Sequence, residues 1–129
     1  SAEQGHAAAQ YNVGCCYQEC KGVEKNLELG FEWCMKAAEQ GHVAAQYKVG
    51  RCYQKGEGVE KNLELGFEWY MKSAEQGASD AQCAVGFCYY HGTGVGKDLV
   101  KAKEWFVKAT EQGSDDAKRH LEDLEFEDV

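Results

Sequence analysis

Apolar residues recur every three or four positions in paired stretches of the chain, which is the spacing of one face of an α-helix. In the stretch 7–19, for example, Ala9, Val13, Cys16 and Tyr17 fall on one face. The pattern predicts first helices near 7–19, 43–55 and 79–91, second helices near 27–39, 63–75 and 99–111, and a last helix from Ser114 to about Leu124. Because no stretch shows the alternation typical of a strand, the predicted fold class is all-α.

The helix pairs repeat with a fixed period. The segment from Ala9 to Gly14 returns at Ala45 and again at Ala81, a step of 36 residues each time. A period of this size is typical of a stack of small units that bury their apolar faces against their neighbours. We therefore predict one repeat domain over 1–129, made of the end of a preceding repeat (1–5), three repeats (6–41, 42–77 and 78–113) and a capping helix with an acidic tail (114–129).

Local signals mark the ends and contacts of these helices. N-cap residues precede the second helices at Asn26, Asn62 and Asp98. The segment from Ser79 to Gln82 has the form of a capping box for the first helix of repeat three. Two residue types recur within the helices and are expected in the core or at close helix contacts, namely Trp33, Trp69 and Trp105, and Gly14, Gly50 and Gly86.

The overall charge narrows the class of partner. The chain carries a net charge of -8 over 129 residues, so nucleic acid and anionic membrane surfaces are disfavoured. No apolar run approaches the roughly 20 residues of a membrane-spanning helix, and membrane insertion is not expected. The predicted partner is another protein or peptide.

The cysteines predict a reduced protein without a metal site. There are seven, and Cys16, Cys52 and Cys88 occupy the same place in successive repeats. Equivalent positions on stacked helices lie roughly 8–10 Å apart, which exceeds the roughly 7 Å limit for a disulfide. These residues are therefore expected to be buried thiols, which favours a cytoplasmic location. Cys15, Cys16 and Cys20 have no partner pair at zinc-ligand spacing, and no metal, cofactor or catalytic nucleophile is predicted.

The recurring residues resemble a known family. The pattern A-x3-[LV]-G-x2-Y-x2-G-x-G-V-x2-[DN]-x3-[AG]-x2-W-x2-K-A-A-E-Q-G is similar to the Sel-1-like repeat, a 36-residue relative of the tetratricopeptide repeat. The resemblance implies an α-solenoid, a right-handed superhelix of antiparallel helix pairs with the first helices lining a concave groove. It also implies a role as a protein–protein interaction adaptor or scaffold. Cys20 departs from the pattern by replacing the first loop glycine, and we expect Cys20→Gly to be neutral or stabilising.

The few differences between repeats indicate where a partner binds. Repeats one and two differ at eight of 36 positions, and three of these, at 12/48, 15/51 and 19/55, share one stripe of the first helix. Exposed positions of the second helices are unchanged, although random drift would have altered them too. The stripe, with its continuation into repeat three and the last helix, gives the predicted groove residues: Asn12, Cys15, Glu19, Lys48, Arg51, Lys55, Ala84, Phe87, Tyr90, His91 and His120.

The predicted groove is basic on the first helix of repeat two and aromatic on the first helix of repeat three. This order predicts a ligand segment that is acidic with an apolar anchor.

Two other functions stay open. A cysteine-rich branch of the family has been linked to β-lactam binding and hydrolysis, and there cysteines eight apart join the second helix to the following one. No two cysteines of this chain are eight apart, and Ala38 and Gln46 stand where such a pair could fall. The domain could also be a passive spacer between other domains.

Overall fold

The computed structural model describes residues 2–19 and 26–127. These ranges contain seven α-helices and no strand: α1 (Ala2–Glu19), α2 (Leu27–Glu39), α3 (Val43–Lys55), α4 (Leu63–Glu75), α5 (Ser79–His91), α6 (Leu99–Glu111) and α7 (Asp115–Glu127). The all-α repeat prediction is confirmed, and the bounds agree with the predicted ones except that α1 begins earlier and α7 ends later, at Glu127. Cys20 lies outside the described residues, and so does the side chain of Glu19.

The second helices begin as the sequence predicts. The side-chain oxygens of Asn26, Asn62 and Asp98 accept hydrogen bonds from backbone N–H groups three residues later, at 3.1, 3.1 and 3.0 Å. Each cap provides an acceptor for one of the N–H groups that the first helical turn leaves without a partner. The same entry geometry therefore starts α2, α4 and α6.

The capping box predicted for α5 is wrong. The N-cap is Ala78, which has no side chain to donate or accept a hydrogen bond, and Ser79 is already the first helical residue. Gln82 points back to the preceding repeat, where its Nε2 donates to the carbonyl oxygen of Ala74 at 3.2 Å. This contact between successive repeats competes with the local cap and takes the side chain away from the helix start.

The helices stack in chain order, each against the next, and close approach inside each pair depends on glycine. A Cβ atom on Gly50 would lie 2.7 Å from Cδ1 of Tyr70, and one on Gly86 would lie 2.7 Å from Cδ1 of Phe106. Both rings are buried, so they have no room to move aside. The expectation of close helix contacts at the mid-helix glycines is confirmed.

The loops between paired helices also contact the preceding repeat. Gly58 and Gly94 have positive φ angles of 76° and 73°, a backbone region that favours glycine. A Cβ atom at either would clash with the carbonyl oxygen of Leu27 or Leu63. The recurring loop glycine thus lets the chain turn while it packs on the start of the previous second helix.

Two expectations about the core need correction. The tryptophans are half-buried rather than central, and the Nζ atoms of Lys36, Lys72 and Lys108 lie 4.5, 4.1 and 4.2 Å from their ring centroids. Cys52 and Cys88 are buried as expected, but Cys16 is only half-buried. Cys52 is covered by Gln18 of the preceding repeat, whose Nε2 donates to the sulfur of Cys52 at 3.3 Å.

Candidate functional site

The first helices α3 and α5, with α7, form a continuous surface that holds five of the predicted groove residues. One cavity of about 490 Å³ is lined by Arg51, Ala84, Phe87 and His120. A second cavity of about 410 Å³ is lined by Lys48 and again by Arg51. We call the two cavities together the groove.

The two cavities adjoin because they share lining residues. Tyr47, Arg51 and Asp80 belong to both, and Tyr11 on α1 extends the second cavity toward repeat one. The groove therefore runs across the first helices of successive repeats instead of lying inside one repeat.

The remaining predicted residues lie outside the two cavities. Asn12, Lys55 and His91 are exposed, while Cys15 and Tyr90 are half-buried. Lys55 and His91 stand at the C-terminal ends of α3 and α5, one turn beyond the cavity walls. The structure thus places the middle of the stripe in the groove and its C-terminal turn at the groove's edge.

Seven lining residues of the larger cavity were not among the predicted groove residues: Tyr47, Gln54, Tyr70, Asp80, Cys83, Ser114 and Asp116. Tyr70 stands at 34/70, one of the eight positions at which repeats one and two differ. This difference could therefore have identified Tyr70 as a groove residue. Asp80 and Asp116 precede Ala84 and His120 by four residues, which is one helical turn. Extending the stripe back by one turn would have found both carboxylates.

Tyr70 forms an inner wall of the groove although it belongs to a second helix. Its ring packs against Gly50, and its centroid lies 5.4 Å from that of the Tyr47 ring. Its hydroxyl donates to Oε1 of Gln54 at 3.0 Å. Cys34 occupies the equivalent place in repeat one, and there the buried Oε1 of Gln18 has no hydrogen-bond partner. The wall of the groove therefore changes between two repeats of nearly the same sequence.

Charges of both signs act inside the larger cavity. Burial raises the pKa of Tyr47, the Arg51 guanidinium opposes that rise, and Asp80 adds to it. Burial also raises the pKa of Cys83 to about 11, with Asp116 and Asp80 adding to the shift and a hydrogen bond from Ser114 opposing it. A guanidinium on α3 thus faces carboxylates from the first turns of α5 and α7.

Aromatic rings fill the end of the groove near α7. The ring of Phe87 lies 4.2 Å from that of His120 in an edge-to-face arrangement and 6.0 Å from that of His91 in a stacked one. His120 also packs 5.6 Å from Phe106. Such pairs fix ring orientations, so Phe87 presents a preorganised apolar surface between two imidazoles.

The four buried thiols are unsuited to nucleophilic chemistry. Cys34, Cys52, Cys83 and Cys88 are free and buried, and burial raises the pKa of each. With these raised pKa values the four thiols stay protonated near neutral pH. They are therefore poor nucleophiles, since the thiolate is the reactive form. Among the described residues, no group of three or more His, Cys, Asp or Glu side chains could hold a metal ion.

A separate apolar depression of about 750 Å³ lies on α6, around Leu99, Val100 and Val107. Val100 is 69% exposed. In repeats one and two the following loop packs on the corresponding start of the second helix, as Gly58 does against Leu27. The depression on α6 is distinct from the groove, since the two share no lining residue. No helix in the described ranges is long and apolar enough to cross a membrane.

Comparison with known proteins agrees with this architecture. The Sel1 repeat model matches residues 7–42, 43–77 and 79–114. No curated protein matches the chain by sequence. Among solved structures, a protective antigen present in uropathogenic Escherichia coli strains, which displays an SLR fold, has a TM-score of 0.89 and 37% identity, covering 93% of this chain and 26% of its own.

Two further structures are similar. A Sel1 repeat protein from Oxalobacter formigenes has a TM-score of 0.86 and 38% identity, covering 89% of this chain and 47% of its own. Cysteine rich protein B from Helicobacter pylori has a TM-score of 0.74 and 26% identity, covering 94% of this chain and 98% of its own. The chain thus spans less than half of the first two proteins. With three matched repeats over most of its length, the chain belongs to the Sel1 repeat family.

Proposed function

We propose that the groove binds an extended segment of a partner protein and that the domain acts as a protein–protein interaction adaptor. Sel1 repeat proteins generally mediate protein–protein interactions. The observation that carries the proposal is the coincidence of two features. Five of the eight positions at which repeats one and two differ, Lys48 and Arg51 among them, line two adjoining cavities.

The chemistry of the groove supports binding rather than turnover. Arg51, Tyr47, Tyr70 and Phe87 are of the residue types that anchor interfaces, and all four line the larger cavity. The buried thiols have raised pKa values and are poor nucleophiles. The free cysteines also support a reducing compartment, which favours the cytoplasm.

Site-specific crosslinking tests the function in the parent protein. A photoreactive benzoylphenylalanine replaces Ala84 in the groove, or Glu68, an exposed residue of α4, as the matched control. After irradiation in cells, we expect a discrete crosslinked species from position 84 and none from position 68. Crosslinking from both positions alike, or from neither, would contradict groove binding, and the second result would favour the passive spacer.

A further inference from the structure

The groove changes charge from one first helix to the next. Arg51, Phe87 and Asp123 hold equivalent positions on α3, α5 and α7, and so do Lys48, Ala84 and His120. Asp116 adds a carboxylate on α7, at the position equivalent to Asp80 on α5. The predicted groove residues end at His120 and include neither Asp116 nor Asp123.

The acidic end acts on the same cavity as the basic end. Asp116 and Arg51 both line the larger cavity. Asp80, at the start of α5, belongs to both cavities. A ligand that spans from α3 to α7 therefore first meets Lys48 and Arg51 beside Asp80, where two cations face one carboxylate. It then meets the ring of Phe87, and last the carboxylate of Asp116.

We propose that the groove selects an extended peptide segment with an acidic residue at one end, an apolar residue at the centre and a basic residue at the other end. This inference rests on the proposed binding function and names the class of ligand. The acidic residue lies against Lys48 and Arg51, the apolar residue against Phe87, and the basic residue against Asp116 and Asp123.

The spacing of the helices sets the spacing of the ligand. Neighbouring packed helices are roughly 10 Å apart, and an extended chain advances about 3.3 Å per residue. About three residues therefore separate the ligand positions opposite α3 and α5, and three more separate those opposite α5 and α7. The expected pattern is a charged residue, two spacers, an apolar residue, two spacers and a residue of opposite charge.

Segments of uniform charge are disfavoured at one end of the groove. A wholly acidic segment would bring its far carboxylate against Asp116, and a wholly basic segment would bring a cation against Arg51. Like charges placed together at an interface oppose binding. The order of charges, rather than net charge, is thus the expected basis of selection.

A panel of nine fluorescein-labelled heptapeptides tests the order directly. Each has a central Phe and Ser spacers, with Glu, Ser or Lys at each end in all combinations. Binding to the domain is measured by fluorescence anisotropy at low salt. Since an exposed ion pair contributes little to binding, we expect Glu…Lys or Lys…Glu to bind about 2- to 5-fold tighter than Glu…Glu or Lys…Lys.

Variants of α7 connect the preference to the groove. In the variant Asp116→Asn with Asp123→Asn, peptides with a Lys at one end should no longer bind more tightly than those with Ser there. The advantage of a Glu at the other end should remain. The matched control, Asp115→Asn with Glu122→Asn, removes the same charge from exposed positions of the same helix and should leave the ranking unchanged. Tightest binding by Glu…Glu, a Lys preference that survives the groove variant, or equal or no binding across the panel would overturn the inference.

The two proposals fail in different ways. If the panel gives one of those results while position 84 still crosslinks a partner in cells, only the charge order is wrong. If position 84 also fails to crosslink, groove binding itself is wrong.

Discussion

The side-chain Nε2 of Gln46 donates a hydrogen bond to the carbonyl oxygen of Ala38 at 3.2 Å, across the turn between α2 and α3. Gln82 makes the same bond to Ala74 one repeat later. In the cysteine-rich branch of the family, a disulfide between residues eight apart joins the corresponding two helices. In this chain, a hydrogen bond from a buried glutamine to the carbonyl oxygen eight residues earlier connects successive repeats. This connection needs no oxidation of cysteine.

This contact gives a prediction about stability. Replacing Gln46 with Ala removes a buried hydrogen bond and leaves a small void, so we expect a loss of about 1–2 kcal/mol in the free energy of unfolding. Urea denaturation of the variant measures it. Gln112→Ala, at an exposed position, is the control and should change stability by less than about 0.5 kcal/mol. Equal effects of the two substitutions would show that the contact contributes nothing.

Two glycines that face each other should respond differently to alanine. Gly50→Ala places a methyl group 2.7 Å from the buried ring of Tyr70, and such overpacking costs about 1–3 kcal/mol. Gly66→Ala meets its nearest atom at 3.0 Å, and repeat three already carries Ala102 at this position, fully buried. Thermal melts should show a clear fall for the first variant and little change for the second. Similar falls for both would contradict the packing argument.

Repeat one should gain stability from the residue of repeat two. In Cys34→Tyr, the new hydroxyl can donate to the unpartnered Oε1 of Gln18, as Tyr70 does to Gln54. A hydrogen bond of this kind contributes about 1 kcal/mol. Cys34→Phe is the matched control, since Phe106 stands at this position in repeat three. We expect Tyr to exceed Phe in melting temperature, and the reverse order would contradict the prediction.

Much of the fold could be predicted because the repeat shows each signal several times. Apolar spacing and the N-caps at Asn26 and Asn62 gave the helix bounds. The α5 capping box was predicted wrongly because Gln82 forms a contact between repeats, which local sequence does not reveal. The groove was predicted only in part for a similar reason. Tyr70 reaches it from a second helix across Gly50, and no spacing rule within one helix shows such a contact.

Stability should fall at alkaline pH because thiols are buried. The pKa of Cys34 is raised from 9.0 to about 12, mainly by burial, with Cys15 and Cys52 adding to the shift. The unfolded chain releases this proton near pH 9 and the folded chain does not, so the stabilisation is complete below pH 9 and is lost as pH rises toward 12. Urea midpoints of the reduced protein at pH 8 and 10 measure the fall. Cys34→Ala should reduce the change in urea midpoint between pH 8 and 10. An unchanged difference would show that the Cys34 thiol is not its source.

The central claim is that the partner binds in the groove, and charge reversal on α3 tests it most directly. Lys48→Glu, Arg51→Glu and Lys55→Glu are combined in the parent protein. The matched control combines Lys61→Glu, Lys97→Glu and Lys103→Glu, which changes net charge equally at exposed positions outside the groove. Affinity for the crosslinked partner is then measured by titration, with melting temperature as the folding control. We predict that the groove variant binds at least about 10-fold more weakly while the control binds normally, and equal affinities of the two variants would contradict the account.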